Sequence, residues 1–496
     1  MYSARHVASL MALVAVPAVG WSSACGGTSG NQVGGGGSGS GGNTFVGLSS
    51  SGGGSGSGGT TFAQCTSQGQ CVNHACNPAT TISGQVFDPA GVNPLYAIAV
   101  YVPQNPPTAL PQGAACQACD TLYTGGVVAG SLTDADGRFV LQNAPDGTAV
   151  PLVVQIGKWR RQYAIDVKPC QDNPLPSLRL PRNATEGDLP QIAVSTGGAD
   201  SMECLFRRIG VSASEYTSGA GGPGHIHIFQ GGTGARAAGG AGGTPTPGAT
   251  IRGGSPPSAT ALWTSGAAMQ PYDMVILSCE GGETANPNPQ ALSDYASLGG
   301  RVFASHFHYA WFLQPPFSGD NLATWTRGTN NTGNINGVIE TTLPNGATFP
   351  KGVAMQKWLS NVGALSTAGE LPIDVSRHNA DVSAANTPST PWIVADRAAP
   401  APGATQYFSF DMPISSATEQ LCGRIVYSDL HVGAASGDYG QAAGSQNIPQ
   451  NAVTPTGCAN NPLSPQEKAL EFMIFDLSSC LTPVGSAPMG PVPMGQ

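Results

Sequence analysis

Charged residues are scarce in this sequence of 496 residues. Lys, Arg, Asp and Glu make up only 10% of it, whereas about 25% is typical of soluble proteins. The densest basic stretch is KWRR (158–161), which is too short for the basic surface of a nucleic-acid-binding protein. After residue 24 no run of eighteen apolar residues occurs, so no later segment is predicted to span a membrane. We therefore expect no nucleic-acid partner.

Glycine (69) and proline (41) are abundant instead, and they favour strands, turns and linkers over long helices. The first 24 residues have the pattern of a secretory signal peptide, with Arg5 and His6 before the apolar run VASLMALVAVPAVG (7–20). The end of this segment resembles a bacterial lipoprotein box, whose cysteine is lipidated, with Ser22 where that box usually has Leu. Cys25 is the predicted lipid anchor, and ordinary cleavage before it, which would give a secreted protein, is the alternative.

Residues 25–62 are predicted to form a flexible tether. Seventeen glycines lie between residues 26 and 60, with Ser, Thr and Asn among them, and such a composition behaves as a flexible coil. An anchor followed by a tether predicts a protein of the bacterial cell envelope, held to a membrane by the lipid on Cys25.

Residues 65–182 are predicted to form an antiparallel β-sandwich. Turn residues separate its β-rich runs, and no helical period competes with them. These runs are TISGQVFD (81–88), YAIAVYVP (96–103), GSLTDADGRFVL (130–141), VPLVVQIG (150–157) and RQYAIDV (161–167). About seven strands in about 100 residues is the size of such a sandwich.

The stretch TDADGRFVLQNAPDG (133–147) combines a tight turn with an alternating strand. Asp136 and Gly137 suit a hairpin turn that needs positive φ, and a calcium site at Asp134 and Asp136 is the weaker interpretation because the rest of a calcium loop is missing. The stretch resembles the carboxypeptidase regulatory-like, prealbumin-type sandwich, and the matching residues are Thr133, Asp134, Gly137, Phe139, Pro145 and Gly147. This resemblance implies an accessory module rather than a catalyst.

Strands and helices alternate over residues 186–482, which predicts an α/β flavodoxin-like domain with a parallel sheet and helices on both faces. The predicted strands are 189–198, 272–283, 301–308 and 422–431, and the predicted helices are 199–210, 291–300 and 464–481. Ser464 and Glu467 have the spacing of a capping box. A Gly/Pro-rich insertion is predicted over 218–258 and a disordered tail over 483–496, so the whole chain is expected to be a mixed multidomain protein.

Three segments of this second part resemble the class I glutamine-amidotransferase-like fold of the trehalose-utilisation type. They are YDMVILS (272–278), RVFASHFH (301–308) and GRIVYSDLH (423–431). The resemblance implies a histidine after each of the last two strands, here His306 and His431. Glutaminase members carry a cysteine nucleophile on a tight elbow with small neighbours, but this chain has no cysteine there and places Phe303 and Phe307 beside the turn. We therefore expect no amidotransferase activity.

Ligands of open α/β sheets bind at the carboxyl ends of the strands, where many polar residues are predicted. They are residues 196–200, Cys279, Glu280, Glu283, His306, His308, Asp429 and His431. Strand alternation would place His306 and His308 on one face. We predict a ligand site of His306, His308, His431, Glu283 and Trp311. His225 and His227 begin their strand and are expected at the opposite edge.

The same edge supplies the candidates for catalysis, which are Cys279, Glu280, His306 and His431. A nucleophilic Cys279 would need His306 or His431 as its base. No metal and no cofactor are expected, and His306 and His308 are the candidates if a metal is bound.

Three functions remain open from the sequence. The first is a tethered, non-catalytic envelope lipoprotein that binds a ligand, such as a carbohydrate, or a protein partner. The second is a hydrolase that uses the His, Glu and Cys residues of the sheet edge. The third is a structural surface protein.

Eleven cysteines follow Cys25, and export to an oxidising compartment favours disulfides among them. Pairing is predicted within the group around the sandwich, which contains Cys65, Cys71, Cys76, Cys116, Cys119 and Cys170. One pair is expected among Cys422, Cys458 and Cys480. A zinc site at CQAC (116–119) is the alternative for the first group, and Cys279 is the predicted free thiol.

Overall fold

A computed structural model describes residues 74–116, 119–232, 236–248, 256–284, 286–396, 403–432, 455 and 458–493. All of them belong to one compact unit, residues 56–496. The signal peptide, Cys25, the tether, Cys65 and Cys71 lie outside the described residues. Within the described ranges, no helix is both long and apolar enough to cross a membrane.

The first part of the described chain consists of eight strands in two sheets. The strands are β1 (Thr81–Phe87), β2 (Ala99–Pro103), β3 (Val127–Leu132), β4 (Arg138–Leu141), β5 (Gly147–Ile156), β6 (Trp159–Val167), β7 (Asp172–Pro174) and β8 (Leu178–Arg179), with a short helix α1 (Cys119–Leu122). One sheet has the order β3-β2-β5-β6 and is antiparallel throughout. In the other, β1 pairs antiparallel with β4 but parallel with β7 and β8. The prediction of a wholly antiparallel sandwich is wrong at these two short strands.

The turn between β3 and β4 forms as its sequence predicts. The Asp134 carboxylate accepts hydrogen bonds from the backbone N–H groups of Asp136 and Arg138, both at 2.9 Å. Gly137 has φ +72°, and a Cβ there would lie 2.7 Å from the carbonyl oxygen of Val86, so only glycine fits. Asp134 thus serves the turn.

Within the described residues, the second part contains twelve strands and six α-helices. The strands are β9 (Ile192–Ser195), β10 (Tyr216–Ser218), β11 (Ile226–Phe229), β12 (Met274–Leu277), β13 (Arg301–Ser305), β14 (Thr324–Trp325), β15 (Asn331–Ile339), β16 (Leu371–Arg377), β17 (Ala380–Asp381), β18 (Ser389–Ala395), β19 (Thr405–Met412) and β20 (Gly423–Ser428). The helices are α2 (Met202–Arg208), α3 (Gly266–Met269), α4 (Pro289–Ser297), α5 (Tyr309–Phe312), α6 (Pro350–Asn361) and α7 (Pro465–Ser478).

Ten of these strands form one sheet with the order β10-β11-β9-β12-β13-β20-β19-β18-β15-β16. The first six are parallel to one another, and the remaining four join antiparallel. The sheet is therefore mixed, and the prediction of a parallel sheet is wrong for its antiparallel half. That half is built from the long segment between β13 and β20.

The parallel strands are covered on both faces, which is why their sequences are apolar throughout. Alternate residues of each strand enter two different cores: Val275 and Leu277 pack with α3 and α4, and Ile276 packs with α2 and α7. The core on the α7 side continues into the sandwich. Trp159 of the sandwich meets Phe475 of α7 edge-on, with ring centroids 5.9 Å apart.

Helix α7 begins with the predicted capping box. The backbone N–H of Glu467 donates to the Ser464 hydroxyl at 3.3 Å, and the Glu467 carboxylate accepts from the Ser464 N–H at 2.8 Å. The tail predicted to be disordered, residues 483–496, is described up to 493. Within it, the Met489 carbonyl accepts a hydrogen bond from the Tyr123 hydroxyl at 3.3 Å.

Four disulfides lie within the described residues: Cys76–Cys170, Cys116–Cys422, Cys119–Cys480 and Cys204–Cys458. The first agrees with the predicted pairing around the sandwich. The pairing predicted for Cys116 and Cys119 is wrong, because their segment lies against the second part, where the Ala114 N–H donates to the Gln270 carbonyl at 2.8 Å.

Candidate functional site

Four neighbouring parallel strands end at the same edge of the sheet. Ser195 of β9 lies beside Leu277 of β12, Leu277 beside Ala304 of β13, and Ser305 beside Ser428 of β20. Residues that follow these positions therefore meet at one carboxyl edge. From β9 the chain proceeds to β11 on one side and β12 on the other, and such a change of direction is where open α/β sheets bind ligands.

Three side chains from three of these strands meet in a buried cluster, which we call the Cys–His–His cluster: Cys279, His306 and His431. The Cys279 Sγ lies 3.5 Å from the His306 Nδ1, and the His431 Nε2 lies 3.1 Å from the same Nδ1. All three ligand-type atoms lie within 4.8 Å of one another. Cys279 and His306 are 0% exposed and His431 is 4% exposed. Sequence reasoning named all three residues, and the fold brings them together.

The backbone turns sharply at His306. Strand β13 ends at Ser305, and a 3-10 helix, His306–His308, leads into α5. His306 has φ +36°, a left-handed conformation that is unfavourable for residues other than glycine and is often found at functional sites. The predicted strand through residue 308 is therefore wrong.

His308 and Trp311 consequently point elsewhere. The His308 Nδ1 lies 3.0 Å from the Ser305 carbonyl oxygen, and its ring lies 5.7 Å from that of Trp311. Trp311 is buried against Trp263, with ring centroids 5.1 Å apart. Neither residue joins the Cys–His–His cluster.

Burial keeps the cluster neutral. It lowers the pKa of His306 well below its usual value, with a further contribution from His431. Burial, together with the Arg377 guanidinium, lowers the pKa of His431 to about 3. Burial raises the pKa of the Cys279 thiol to about 12. A buried, protonated thiol is a weak nucleophile, so the cluster does not have the electrostatics of an activated cysteine.

The two predicted glutamates differ in their surroundings. Burial raises the pKa of Glu283, but hydrogen bonds from Arg327 and Tyr309 outweigh it and hold that pKa below its usual value. The Tyr309 hydroxyl donates to the Glu283 Oε1 at 2.5 Å, and the Arg327 Nε donates at 2.8 Å. Glu283 is thus fully engaged by these two partners.

Glu280 is 2% exposed, and neither of its carboxylate oxygens has a well-formed hydrogen bond to any described residue. Burial raises its pKa to about 7, which the nearby Gly232 backbone N–H offsets only in part. A Cβ added to Gly231 would lie 2.6 Å from the Glu280 Oε1 and 2.9 Å from the Ser195 Oγ. The side chains of Glu280 and Ser195 therefore both point towards Gly231 of the insertion.

Further unpaired polar atoms lie along the same edge. The hydroxyls of Ser195, Thr196 and Ser278 and the His306 Nε2 are buried and lack hydrogen-bond partners in the described part of the chain. Buried polar atoms in folded proteins are nearly always paired, with protein, water or ligand. In the described part of the chain, these unpaired atoms gather at the carboxyl edge of the parallel strands.

The insertion covers this edge rather than standing apart from it. The Thr246 N–H donates to the Glu280 carbonyl at 2.8 Å, and the Gly243 N–H donates to the Gly281 carbonyl at 2.9 Å. These bonds explain why the site residues are buried.

Two aspartates fix the strand ends around the cluster. Asp200 accepts from the Ser305 hydroxyl at 2.6 Å and from the Val432 N–H at 3.0 Å. Asp429 accepts from the Tyr427 hydroxyl at 2.7 Å, and burial raises its pKa to about 6. Both residues lie at positions that the sequence assigned to this edge.

Sequence reasoning missed Arg377 and Asn379, which lie near the cluster. The Arg377 N–H donates to the Asp429 carbonyl at 2.8 Å, and the Asn379 N–H donates to the Asp429 carboxylate at 2.6 Å. The side-chain amide of Asn379 also raises the pKa of His306, against the larger effect of burial. They belong to the segment between β13 and β20, whose sequence carries no recognisable motif.

The remaining histidine candidates lie apart from the cluster. The His225 Nδ1 pairs with Glu215 at 2.6 Å, and the His227 Nδ1 lies 3.1 Å from the Tyr272 hydroxyl. A crevice of about 50 Å³ at the amino ends of β12 and β13, lined in part by Lys158, Asp273 and Arg301, has room for only a few water molecules.

Comparison with known proteins identifies no family: no protein-family model matches the chain, and no curated protein matches it. Among solved structures, a mutant type II cohesin–X-dockerin complex from Acetivibrio cellulolyticus aligns with a TM-score of 0.16 and 14% identity, over 25% of this chain and 78% of that one. A 9R-lipoxygenase from Cyanothece aligns with a TM-score of 0.12 and 13% identity, over 23% and 19%. Similarities this low carry no argument about fold or function.

Proposed function

We propose that the protein is a tethered, non-catalytic lipoprotein of the bacterial cell envelope whose α/β part binds a small polar ligand at the carboxyl edge of its parallel strands. The observation that carries the proposal is the concentration of buried, unpaired polar atoms at Ser195, Thr196, Ser278, Glu280 and His306. A ligand with several hydroxyl or amide groups would satisfy them, and a small carbohydrate has that chemistry.

The strand order supports a flavodoxin-like assignment for the α/β part. Apart from the three-residue edge strand β10, the parallel strands β11-β9-β12-β13-β20 have the chain order 2-1-3-4-5, which is the flavodoxin-like order with a ligand site at its switch point. The resemblance to the amidotransferase-like fold fits this order. The two-sheet arrangement of β1–β8 fits the resemblance to the carboxypeptidase regulatory-like sandwich.

A hydrolase is the second candidate, favoured by one observation. His306 has a left-handed backbone at a turn from strand to helix, as nucleophiles on such turns do. The raised pKa of Cys279 and the burial of the whole cluster place it second. Release of product from ester or glycoside substrates, abolished in a His306→Asn variant, would establish it over the binding function.

Ligand binding can be tested by measuring the melting temperature of the purified mature protein in the presence of each of a panel of neutral and acidic mono- and disaccharides. A ligand at a hundred times its Kd stabilises a protein by about 2.7 kcal/mol, so binding should raise the melting temperature clearly. Glu280→Gln should abolish the shift, whereas Glu419→Gln, at an exposed position, should preserve it. If no sugar stabilises the wild type more than the Glu280→Gln variant, carbohydrate binding at this edge is wrong.

The anchor can be tested by fractionation of cells that produce the protein. A lipid on Cys25 should hold the wild type in the membrane fraction, and Cys25→Ser should move it to the soluble fraction because the lipid supplies the attachment. Equal membrane association of both proteins would rule out Cys25 as the anchor.

A further inference from the structure

The Cys–His–His cluster has the composition of a transition-metal site. Thiolate sulfur and imidazole nitrogen are the preferred ligands of Zn²⁺ in proteins. The three side chains come from loops after β12, β13 and β20, so the sheet itself fixes their positions. The sequence predicts no metal here, with His306 and His308 as the candidates if one is bound, because metal binding needs three close ligands.

Two of the three separations within the cluster match those between the ligands of one zinc ion, and the third, between the Cys279 Sγ and the His431 Nε2, is no more than 4.8 Å. With Zn–S of about 2.3 Å and Zn–N of about 2.0–2.1 Å, tetrahedral geometry separates two nitrogens by about 3.3 Å and sulfur from nitrogen by about 3.5 Å. The observed separations are 3.1 Å between the His431 Nε2 and the His306 Nδ1, and 3.5 Å between that Nδ1 and the Cys279 Sγ.

The oxidation state of the cysteines is a second, independent observation. Among the described residues, eight cysteines form four disulfides, and Cys279 is the free one. A chain with so many disulfides belongs to an oxidising compartment. The Cys279 thiol remains reduced in such a compartment and has the His306 and His431 imidazoles beside it, so it is suited to metal coordination.

The charges around the cluster also suit a divalent cation. The Asp200 carboxylate accepts from the Val432 N–H, next to His431, and from the Ser305 hydroxyl, next to His306, so an acidic side chain adjoins the cluster. Asn379 lies at the same edge, where its backbone N–H donates to the Asp429 carboxylate at 2.6 Å.

We propose that Cys279, His306 and His431 bind one Zn²⁺ ion through Sγ, Nδ1 and Nε2, with the fourth position open to an oxygen or nitrogen of a bound molecule. Three protein ligands with an open position distinguish reactive or ligand-binding zinc sites from closed structural ones. Binding would release the thiol proton of Cys279 to solvent. This inference deepens the proposed function, because the metal would hold the small polar ligand at the same edge.

The test uses the purified mature protein with its disulfides intact, stripped with a chelator and then given Zn²⁺ or Co²⁺ alone. We expect one equivalent of Zn²⁺ by elemental analysis, and a thiolate-to-cobalt charge-transfer band with Co²⁺. Cys279→Ser should abolish that band and weaken Zn²⁺ binding by more than about 100-fold, since loss of an outer partner alone costs 10–100-fold. His308→Gln, next to the cluster but outside it, should leave both unchanged.

Circular dichroism and thermal melting should show that each variant is folded, and the wild-type cobalt spectrum needs no variant at all. Folded wild-type protein that takes up no Zn²⁺, or that binds Co²⁺ without the sulfur band, would overturn the proposal. Sugar binding by metal-free protein would then leave the proposed function standing. Zinc binding without any sugar-dependent stabilisation would support the metal site and remove the carbohydrate ligand.

Discussion

At the scale of single residues, Glu280 shows how burial sets the chemistry of this edge. Its carboxyl group is 2% exposed and has no well-formed hydrogen bond within the described ranges. Loss of hydration without compensating bonds favours the neutral form, and the pKa is accordingly raised to about 7. At neutral pH this side chain exists in both protonation states, so it can donate or accept a hydrogen bond to a ligand.

The raised pKa of Glu280 predicts a pH-dependent stability. The folded state holds this proton to higher pH than the unfolded state does. The protonated Glu280 carboxyl therefore makes its full contribution to the free energy of unfolding below the unfolded pKa of about 4.5. This contribution is lost as pH rises through about 7, by up to about 3 kcal/mol. Glu280→Gln should remove this loss and make the protein more stable than the wild type at pH 8.

Urea unfolding of the wild type, Glu280→Gln and Glu419→Gln at pH 5 and pH 8 measures the effect. Other buried carboxyls with a raised pKa, such as Asp88, contribute equally to all three proteins. The difference in pH dependence between Glu280→Gln and the other two proteins is therefore due to Glu280. An unchanged pH dependence in Glu280→Gln would show that this carboxyl is compensated in solution.

Some site residues could be predicted from the sequence for a clear physical reason. Cys279, His306 and His431 each follow an apolar strand, and parallel strands deliver such residues to one edge. His308 could not be assigned correctly, because the left-handed turn at His306 breaks the alternation. Asn379 could not be found, since nothing local marks a residue whose role depends on a non-local strand pairing.

At the scale of secondary structure, the strength of the hydrophobic pattern separates what the sequence could predict from what it could not. Strands β9, β12, β13 and β20 are apolar on both faces because helices cover both sides, and they were predictable. Strand β15 reads NTGNINGVI, with exposed and buried residues mixed along it. Its two register irregularities against β16 interrupt the period of two, so this strand could not be predicted from its sequence pattern.

Helix α7 connects the two parts of the fold, which sequence reasoning treated separately. Its capping box predicted where it begins, but not that both its faces are covered. Phe472 stacks on Tyr96 of the sandwich with ring centroids 5.9 Å apart, and the Asn93 amide donates to the Glu471 carboxylate at 2.6 Å. Burial, together with the nearby Asp88, raises the pKa of Glu471 well above its usual value. The sandwich is therefore packed against the α/β part through polar as well as apolar contacts.

At the scale of the whole molecule, two disulfides join the sandwich part to the α/β part. Cys116–Cys422 and Cys119–Cys480 have sequence separations of 306 and 361 residues. The predicted pair among Cys422, Cys458 and Cys480 is wrong, because these three cysteines pair with Cys116, Cys204 and Cys119 respectively. The fold places the segment after β2 against β20 and α7. No spacing rule could have given this, because disulfide connectivity follows tertiary contacts.

Each of these two disulfides should contribute less to stability when the other is present than when it is alone. When Cys116–Cys422 is present, it shortens the loop that Cys119–Cys480 closes in the unfolded chain. That loop then consists only of residues 116–119 and 422–480, about sixty residues. When Cys116–Cys422 is absent, Cys119–Cys480 closes the full loop of 361 residues. In the chain-entropy relation, removing both bonds should cost about 1.5 kcal/mol more than the sum of the single removals. Calorimetry measures this excess when it is applied to the two double-alanine variants, each lacking one bond, and to the quadruple variant that lacks both. The Cys76→Ala/Cys170→Ala variant is a control within the sandwich. Strictly additive losses would mean that residual structure in the unfolded chain, rather than loop entropy, governs the contribution of these bonds.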